Sequence, residues 1–199
     1  MRRFLPLAVT LFLVAALPIA AHPHVFIADR MTVVFDKGML LGISFQWTFD
    51  DMFSNMILAD YDPQRTGKLT PAQGRAVKEG AFDNLANYHY FVAFWIGKKP
   101  VREFKIEQFT PSETGGKSLV YSFFVPLNVP VQQAEQTVLA TVYDDSYYVA
   151  FDILHTDAVA VKAGDDVSCQ LSVQKTQVKP EWPGQYMPDQ LVIRFKEKQ

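Results

Sequence analysis

Met31-Thr32-Val33-Val34-Phe35-Asp36-Lys37-Gly38-Met39-Leu40-Leu41-Gly42-Ile43-Ser44-Phe45-Gln46-Trp47-Thr48-Phe49 is the stretch that decides the fold. Residues 31–35 and 39–49 are rich in β-formers, and Asp36-Lys37-Gly38 between them has turn chemistry, so the stretch reads as a hairpin. In the second arm Ile43, Phe45, Trp47 and Phe49 share one face, and Gly42, Ser44, Gln46 and Thr48 the other. Successive side chains of a strand point to opposite faces, so this alternation predicts a strand buried on one side.

Downstream the period changes. Asp50 or Asp51 is placed to cap a helix carrying Met52, Phe53, Met56 and Ile57 on its core side. Thr70-Pro71-Ala72-Gln73 combines a capping box with proline at the first helical position, and Val77, Ala81, Leu85 and Tyr88 continue at helical spacing. Strand patterns then return. Residues 90–96 read as a buried central strand, followed by strands over 101–109 and 119–125. Residues 137–143 and 147–153 read as a second hairpin around Asp144-Asp145-Ser146. Residues 167–174 alternate, and Leu191, Ile193 and Phe195 form a last strand after a proline-rich loop over 180–188. This order predicts an α+β fold, a mostly antiparallel sheet or sandwich with a two-helix insertion over about residues 50–89.

The chain has 199 residues and a formal charge of −2. Arg2 and Arg3 precede an apolar run over residues 4–17, and Ala21 is the small residue a signal peptidase needs before its cut. The expectation is a signal peptide over 1–21 and one periplasmic domain over 22–199. The apolar run is too short to span a bilayer, so the processed protein is expected not to cross the membrane. No basic cluster is present, which argues against a nucleic-acid partner. The single cysteine, Cys169, allows no intramolecular disulfide, so the core must carry the stability. Its place on an alternating strand suggests a buried thiol.

Cutting after Ala21 makes His22 the first residue, with His24 two positions on. Residues i and i+2 of an extended segment face the same way, so both imidazoles can converge on one metal ion. Neutral imidazole suits zinc, copper and nickel, and zinc is the first choice here. The square-planar clamp that uses deprotonated amides of the second and third residues is excluded, because Pro23 has no N–H. Two histidines need further ligands, since even an open zinc site takes three from the protein. His89, His155, Asp50, Asp51, Asp144 and Asp145 are the candidates, each with a plain structural alternative as a cap, a turn former or a helix-end cation. Met52 and Met56, one helical turn apart, offer thioethers to copper(I), although core packing is the simpler reading.

Residues 62–73 imitate a calcium-binding EF-hand loop, with Gly67 at position six, Leu69 at position eight and predicted helices on both sides. Gln64, Thr66 and Gln73 stand where acidic ligands belong, so the loop reads as degenerate, its shape kept and most of its affinity lost. Catalytic signatures are absent: there is no Gly-x-Ser-x-Gly, no His-Glu-x-x-His and no phosphate-binding glycine loop.

Taken together, His22-Pro23-His24-Val25-Phe26-Ile27, Trp47-Thr48-Phe49-Asp50, Gly67-Lys68-Leu69, His89-Tyr90-Phe91, Tyr143-Asp144-Asp145-Ser146-Tyr147-Tyr148 and Cys169 resemble the ZevA-like periplasmic family. The resemblance implies a periplasmic accessory protein that works with an inner-membrane permease of the nickel/cobalt-exporter type in zinc or related metal transport. His22, His24, Asp50, His89 and Asp144 fall on the family's motifs, and a metal-ligand role for the last three is an inference from that match. The leading expectation is therefore a non-enzymatic zinc-binding accessory protein. The alternatives are a copper protein with an N-terminal histidine, acting as carrier or oxidative enzyme, and a metal-free docking module.

Overall fold

A computed structural model describes residues 23–115, 117–152, 158–176 and 187–198. The opening hairpin is β1 (Val25–Asp36) and β2 (Met39–Phe49), joined by Lys37 and Gly38 with φ of 48° and 70°. Positive φ at both positions is the signature of the tight turn whose twist matches two antiparallel strands. The inward face of β2 is as expected: Ile43, Phe45, Trp47 and Phe49 are all buried.

The strands of the described residues form two sheets. β5 (Glu107–Thr114), β6 (Ser118–Pro130), β2, β1 and β8 (Val149–Asp152) lie side by side in that order, with β9 (Val159–Lys162) also on β1. β8 and β9 run parallel to β1 along successive stretches of it; the other pairs are antiparallel. The second sheet runs β10 (Val167–Lys175), β11 (Asp189–Glu197), β7 (Gln136–Val142), β3 (Val92–Ile96) and β4 (Lys99–Val101). The sheets pack face to face. Phe45 meets Phe94 with ring centroids 6.2 Å apart, and Phe35 meets Phe195 at 5.2 Å.

Between β2 and β3 lie α1 (Asp51–Tyr61), α2 (Pro71–Val77), a π-helical turn over Lys78–Phe82 and a 3₁₀ segment over Asp83–Phe91. α2 starts as its sequence predicts: the Thr70 hydroxyl accepts from the Gln73 N–H at 3.3 Å, and the Gln73 side chain accepts from the Thr70 N–H at 2.8 Å. α1 is seated by Phe49 stacked on Phe53 at 4.7 Å. Buried Ser54 donates to the Phe49 carbonyl at 3.2 Å and accepts from the Leu119 N–H at 2.9 Å, pinning the helix to β6.

Four expectations are corrected. Residues 137–143 and 147–153 are not a hairpin: β7 and β8 belong to different sheets, and the loop between them is an arch. Residues 101–109 are not one strand, because the chain crosses from β4 in one sheet to β5 in the other. Ile106 and Phe104 pack on the core during that crossing, which is why the stretch looked strand-like. Met52 and Met56 are 66% and 57% exposed; Phe53, Ser54, Ile57 and Leu58 face the core instead. The helical spacing through Tyr88 does not continue one helix, since α2 ends at Val77 and the two tighter and wider turns follow. Among the described residues no helix is long and apolar enough to cross a membrane.

Two glycines carry different constraints. At Gly42, beside the irregularity in the β2–β6 pairing, a Cβ would meet Phe124 Cζ at 2.8 Å and Pro126 Cα at 2.9 Å. At Gly38 nothing lies within 4 Å, and only the φ of 70° resists a side chain. Gly42→Ala should therefore lower stability by about 2–3 kcal/mol through overpacking, and Gly38→Ala by about 1–2 kcal/mol through backbone strain. Urea unfolding of the two variants measures both, and equal losses would contradict the steric account.

Candidate functional site

His24 stands at the entry to β1, and it is fixed there. Its backbone N–H donates to the Tyr148 carbonyl at 2.8 Å, and its ring stacks on the Tyr148 ring with centroids 5.0 Å apart. Two residues on, the Phe26 N–H donates to Asp50 Oδ2 at 2.7 Å, while the Asp50 N–H donates back to the Phe26 carbonyl at 2.9 Å. Asp50 Oδ1 caps α1 by accepting from the Phe53 N–H at 2.9 Å. A carboxylate has about four lone-pair sites, so one carboxylate that ties a strand to a helix still keeps acceptor capacity.

Asp144 organises the arch between β7 and β8. It is 4% exposed, and its oxygens accept from the backbone N–H groups of Ser146 at 2.9 Å, Tyr148 at 3.0 Å and Val149 at 2.9 Å. The Ser146 hydroxyl lies 2.9 and 2.8 Å from the two oxygens. These donors occupy the carboxylate, so Asp144 acts by holding Tyr148 where His24 stacks on it.

His89 sits in the 3₁₀ segment with φ of 48°, and Tyr90 and Phe91 follow at 50° and 55°. Three successive left-handed residues without a glycine carry strain of about 1–2 kcal/mol each. The bend is held by the Tyr143 N–H, which donates to the Phe91 carbonyl at 2.9 Å. It brings His89 to an open cavity of about 540 Å³ that Tyr143, Asp144, Asp145, Trp95 and Arg102 also line. His24 is joined to Asp144 through Tyr148, Asp50 ties α1 to Phe26 two residues beyond His24, and His89 shares its cavity lining with Asp144. Among the described residues no three His, Cys, Asp or Glu side chains come together as a metal-holding group. His22 and His155, the signal peptide and most of the proline-rich loop lie outside the described residues.

Cys169 is half-buried on the edge strand β10, and burial pushes its thiol up to about 11, so it is protonated at neutral pH. Asp29 is an acid that the sequence reading passed over. Asp29 is 1% exposed between the sheets, opposite Trp47 in the β1–β2 register. Neither Asp29 oxygen, nor the Trp47 indole nitrogen, has an aligned hydrogen-bond partner. The signal was visible: Val25, Ile27, Met31, Val33 and Phe35 make the apolar face of β1, and Asp29 interrupts it.

Burial pushes the Asp29 carboxyl well above the usual carboxylate range, and the nearby Trp47 only partly offsets this. In the unfolded chain an aspartate ionises near pH 4. The folded form therefore keeps its proton to higher pH, and stability falls as the pH rises above about 4. Asp29→Asn should melt higher than the wild type at pH 7, with the gap closing towards pH 4. Melting curves across that range test it, and a gap that widens in acid would show the carboxyl to be ionised in the fold.

Curated relatives are themselves uncharacterised. The chain is 28% identical over 149 residues to an uncharacterized protein of Haemophilus influenzae, covering 73% of this chain and 69% of the relative. It is 26% identical over 139 residues to an uncharacterized 15.5 kDa protein in the trpE 3′ region of Spirochaeta aurantia, covering 70% of this chain and 98% of that protein. The model of the family described as protein of unknown function (DUF1007) matches residues 7–190, and the chain belongs to that family.

Proposed function

We propose that this is a periplasmic, non-enzymatic zinc-binding accessory protein that works with an inner-membrane metal permease. His22 and His24 would supply imidazole ligands, Asp50 the spare acceptor capacity of a carboxylate beside them, and His89 a further imidazole at the neighbouring cavity. Asp144 would act by positioning, through Tyr148. The observation that carries the reading is the anchoring of His24: hydrogen-bonded and stacked on Tyr148, it is held in place against the arch. An incomplete ligand set suits transfer, because an incoming ligand can attack before the outgoing one leaves. Phe26, Met52 and Tyr148 are 55%, 66% and 54% exposed on the same segments, and supply apolar surface for a permease loop.

A second reading is supported by the exposure of Met52 and Met56. Two solvent-facing thioethers one turn apart on α1 are soft ligands, and with His24 they would favour copper(I) over zinc.

Calorimetric titration of the protein beginning at His22 separates these. The zinc reading expects one zinc per chain and at least a tenfold loss of affinity in a His22→Ala/His24→Ala double variant. The copper reading expects Met52→Leu/Met56→Leu to weaken copper(I) binding and leave zinc unchanged. Absence of heat with both metals would overturn both and leave a metal-free docking module.

A further inference from the structure

The loop between α1 and α2 gathers oxygen atoms that the proposed zinc site does not use. Asp62, its first residue, is 1% exposed. Asp62 Oδ2 accepts from the Thr66 N–H at 2.7 Å and lies 3.0 Å from the Thr66 hydroxyl, which is itself 2.9 Å from the Lys68 carbonyl oxygen. Asp62 Oδ1 accepts from the Gln73 amide at 3.3 Å. Counted along a twelve-residue calcium loop, these are positions one, five, seven and twelve, all drawn to one point. Gly67 at position six has φ of 77°, and Leu69 at position eight packs on the core.

What the loop lacks is a second carboxylate, and the fold brings one from outside it. Glu113 of β5 lies against Asp62. Both Glu113 carboxylate oxygens are shielded from solvent, and no protein donor is aligned with either. Burial first, and then Asp62 beside it, push the Glu113 carboxyl above its ordinary range. Burial also works to raise Asp62, but the hydrogen bonds it accepts from Thr66 and Gln73, with the Glu113 carboxyl beside it, outweigh burial and hold Asp62 low. The Arg65 charge offsets the rise of Glu113 only in part, because its guanidinium is turned to Asn55, 2.8 Å from the side-chain oxygen. Two carboxyl groups in contact with no donor between them need a proton or a cation there.

We propose that a calcium ion occupies this position, bound by the carboxylates of Asp62 and Glu113, the Thr66 hydroxyl and the Lys68 carbonyl. Glu113 replaces in space the glutamate that Gln73 fails to provide in sequence. The donors are all oxygen, which selects a hard cation over zinc or copper. They come from a loop and a separate strand with irregular spacing, which calcium accepts and magnesium, with its strict octahedron, does not. Two carboxylates balance two positive charges and place the affinity in the weak class, about 10⁻⁴–10⁻³ M, of extracellular calcium modules. The ion would clamp the α1–α2 loop to β5.

The test is thermal unfolding and calorimetry of the whole processed protein, stripped with chelator and titrated with calcium chloride or magnesium chloride. Calcium at 10 mM, about ten to a hundred times the expected dissociation constant, should raise the melting temperature by about 3–10 °C, and magnesium by clearly less. Glu113→Gln and Asp62→Asn should each lose at least tenfold in calcium affinity. Glu113→Gln should melt no lower than the wild type without calcium, because the buried carboxyl pair is gone. A His24→Ala variant should keep the calcium response, and Glu113→Gln the zinc response, so the two sites fail independently. No calcium heat and no melting shift in the wild type, or a Glu113→Gln protein that binds calcium like the wild type, overturns the proposal.

Discussion

Phe45 is held between two aromatic rings, Phe123 of its own sheet at 5.1 Å and Phe94 of the facing sheet at 6.2 Å, and much of the architecture follows from that contact. A strand repeats every two residues, so a one-residue slip of β2 would turn Gly42, Ser44, Gln46 and Thr48 into the core and Trp47 into solvent. Burying a side chain of that size is worth about 1.5–3 kcal/mol, and four adjacent ones move together. The register is therefore fixed by the core. Fixing β2 fixes β1 beside it, with Ile27 opposite Phe49, and so places the segment before Val25 at the end where β2 gives way to α1. The position of His24 is thus set by the packing of Phe45 and Trp47, far along the chain.

The carboxylates at that end do mechanical work first. Asp50 joins β1 to α1 by accepting from one backbone N–H of each. Asp144 closes an arch that carries the chain between sheets, where backbone groups have no strand to pair with and buried N–H groups must find another acceptor. Such loops are stiff because their donors converge on one side chain. Stiffness is what a shallow metal or docking site needs, since ordering mobile ligands on binding would cost about 0.5–1.5 kcal/mol per side chain. Structural and functional readings of Asp50 and Asp144 are therefore not rivals: the hydrogen bonds that hold the arch and the helix also hold the face that His24, Tyr148 and Phe26 present.

The sequence was most readable where one local rule decided the outcome. The hairpin at Lys37-Gly38, the buried face of β2 and the capping box at Thr70 each follow from a few neighbouring residues. It was least readable where the outcome depended on which sheet a strand joins. Residues 137–142 and 149–152 alternate as hairpin arms would, and alternation carries no record of the partner. The two methionines of α1 show a similar limit. Met52, Phe53, Met56 and Ile57 span a wide apolar arc, and β6, reached through Ser54 and Leu119, selected the half that is buried. His24, Asp50, His89 and Asp144 were legible as residue types at expected element ends. The links between them were not, because they are made by the Asp144 arch, the left-handed bend at His89 and the β1–β2 register.

Asp29 and Asp62 are buried alike, at 1% exposure, and the difference between them is in their neighbours. Asp29 faces an apolar core, with a misaligned indole as its polar company, and a single carboxyl there can relieve its burial by keeping a proton. Nothing in that environment supplies the further oxygens a cation needs. Asp62 has such oxygens around it, from Thr66, Lys68 and Glu113, and its own charge is held by donors that point at it from the loop. A protonated Glu113 satisfies one contact, whereas a divalent ion satisfies both carboxylates and the two neutral oxygens at once. The same burial that makes Asp29 a proton holder thus makes the Asp62–Glu113 pair a place for a cation, because only the second is surrounded by groups that prefer a positive charge to a proton.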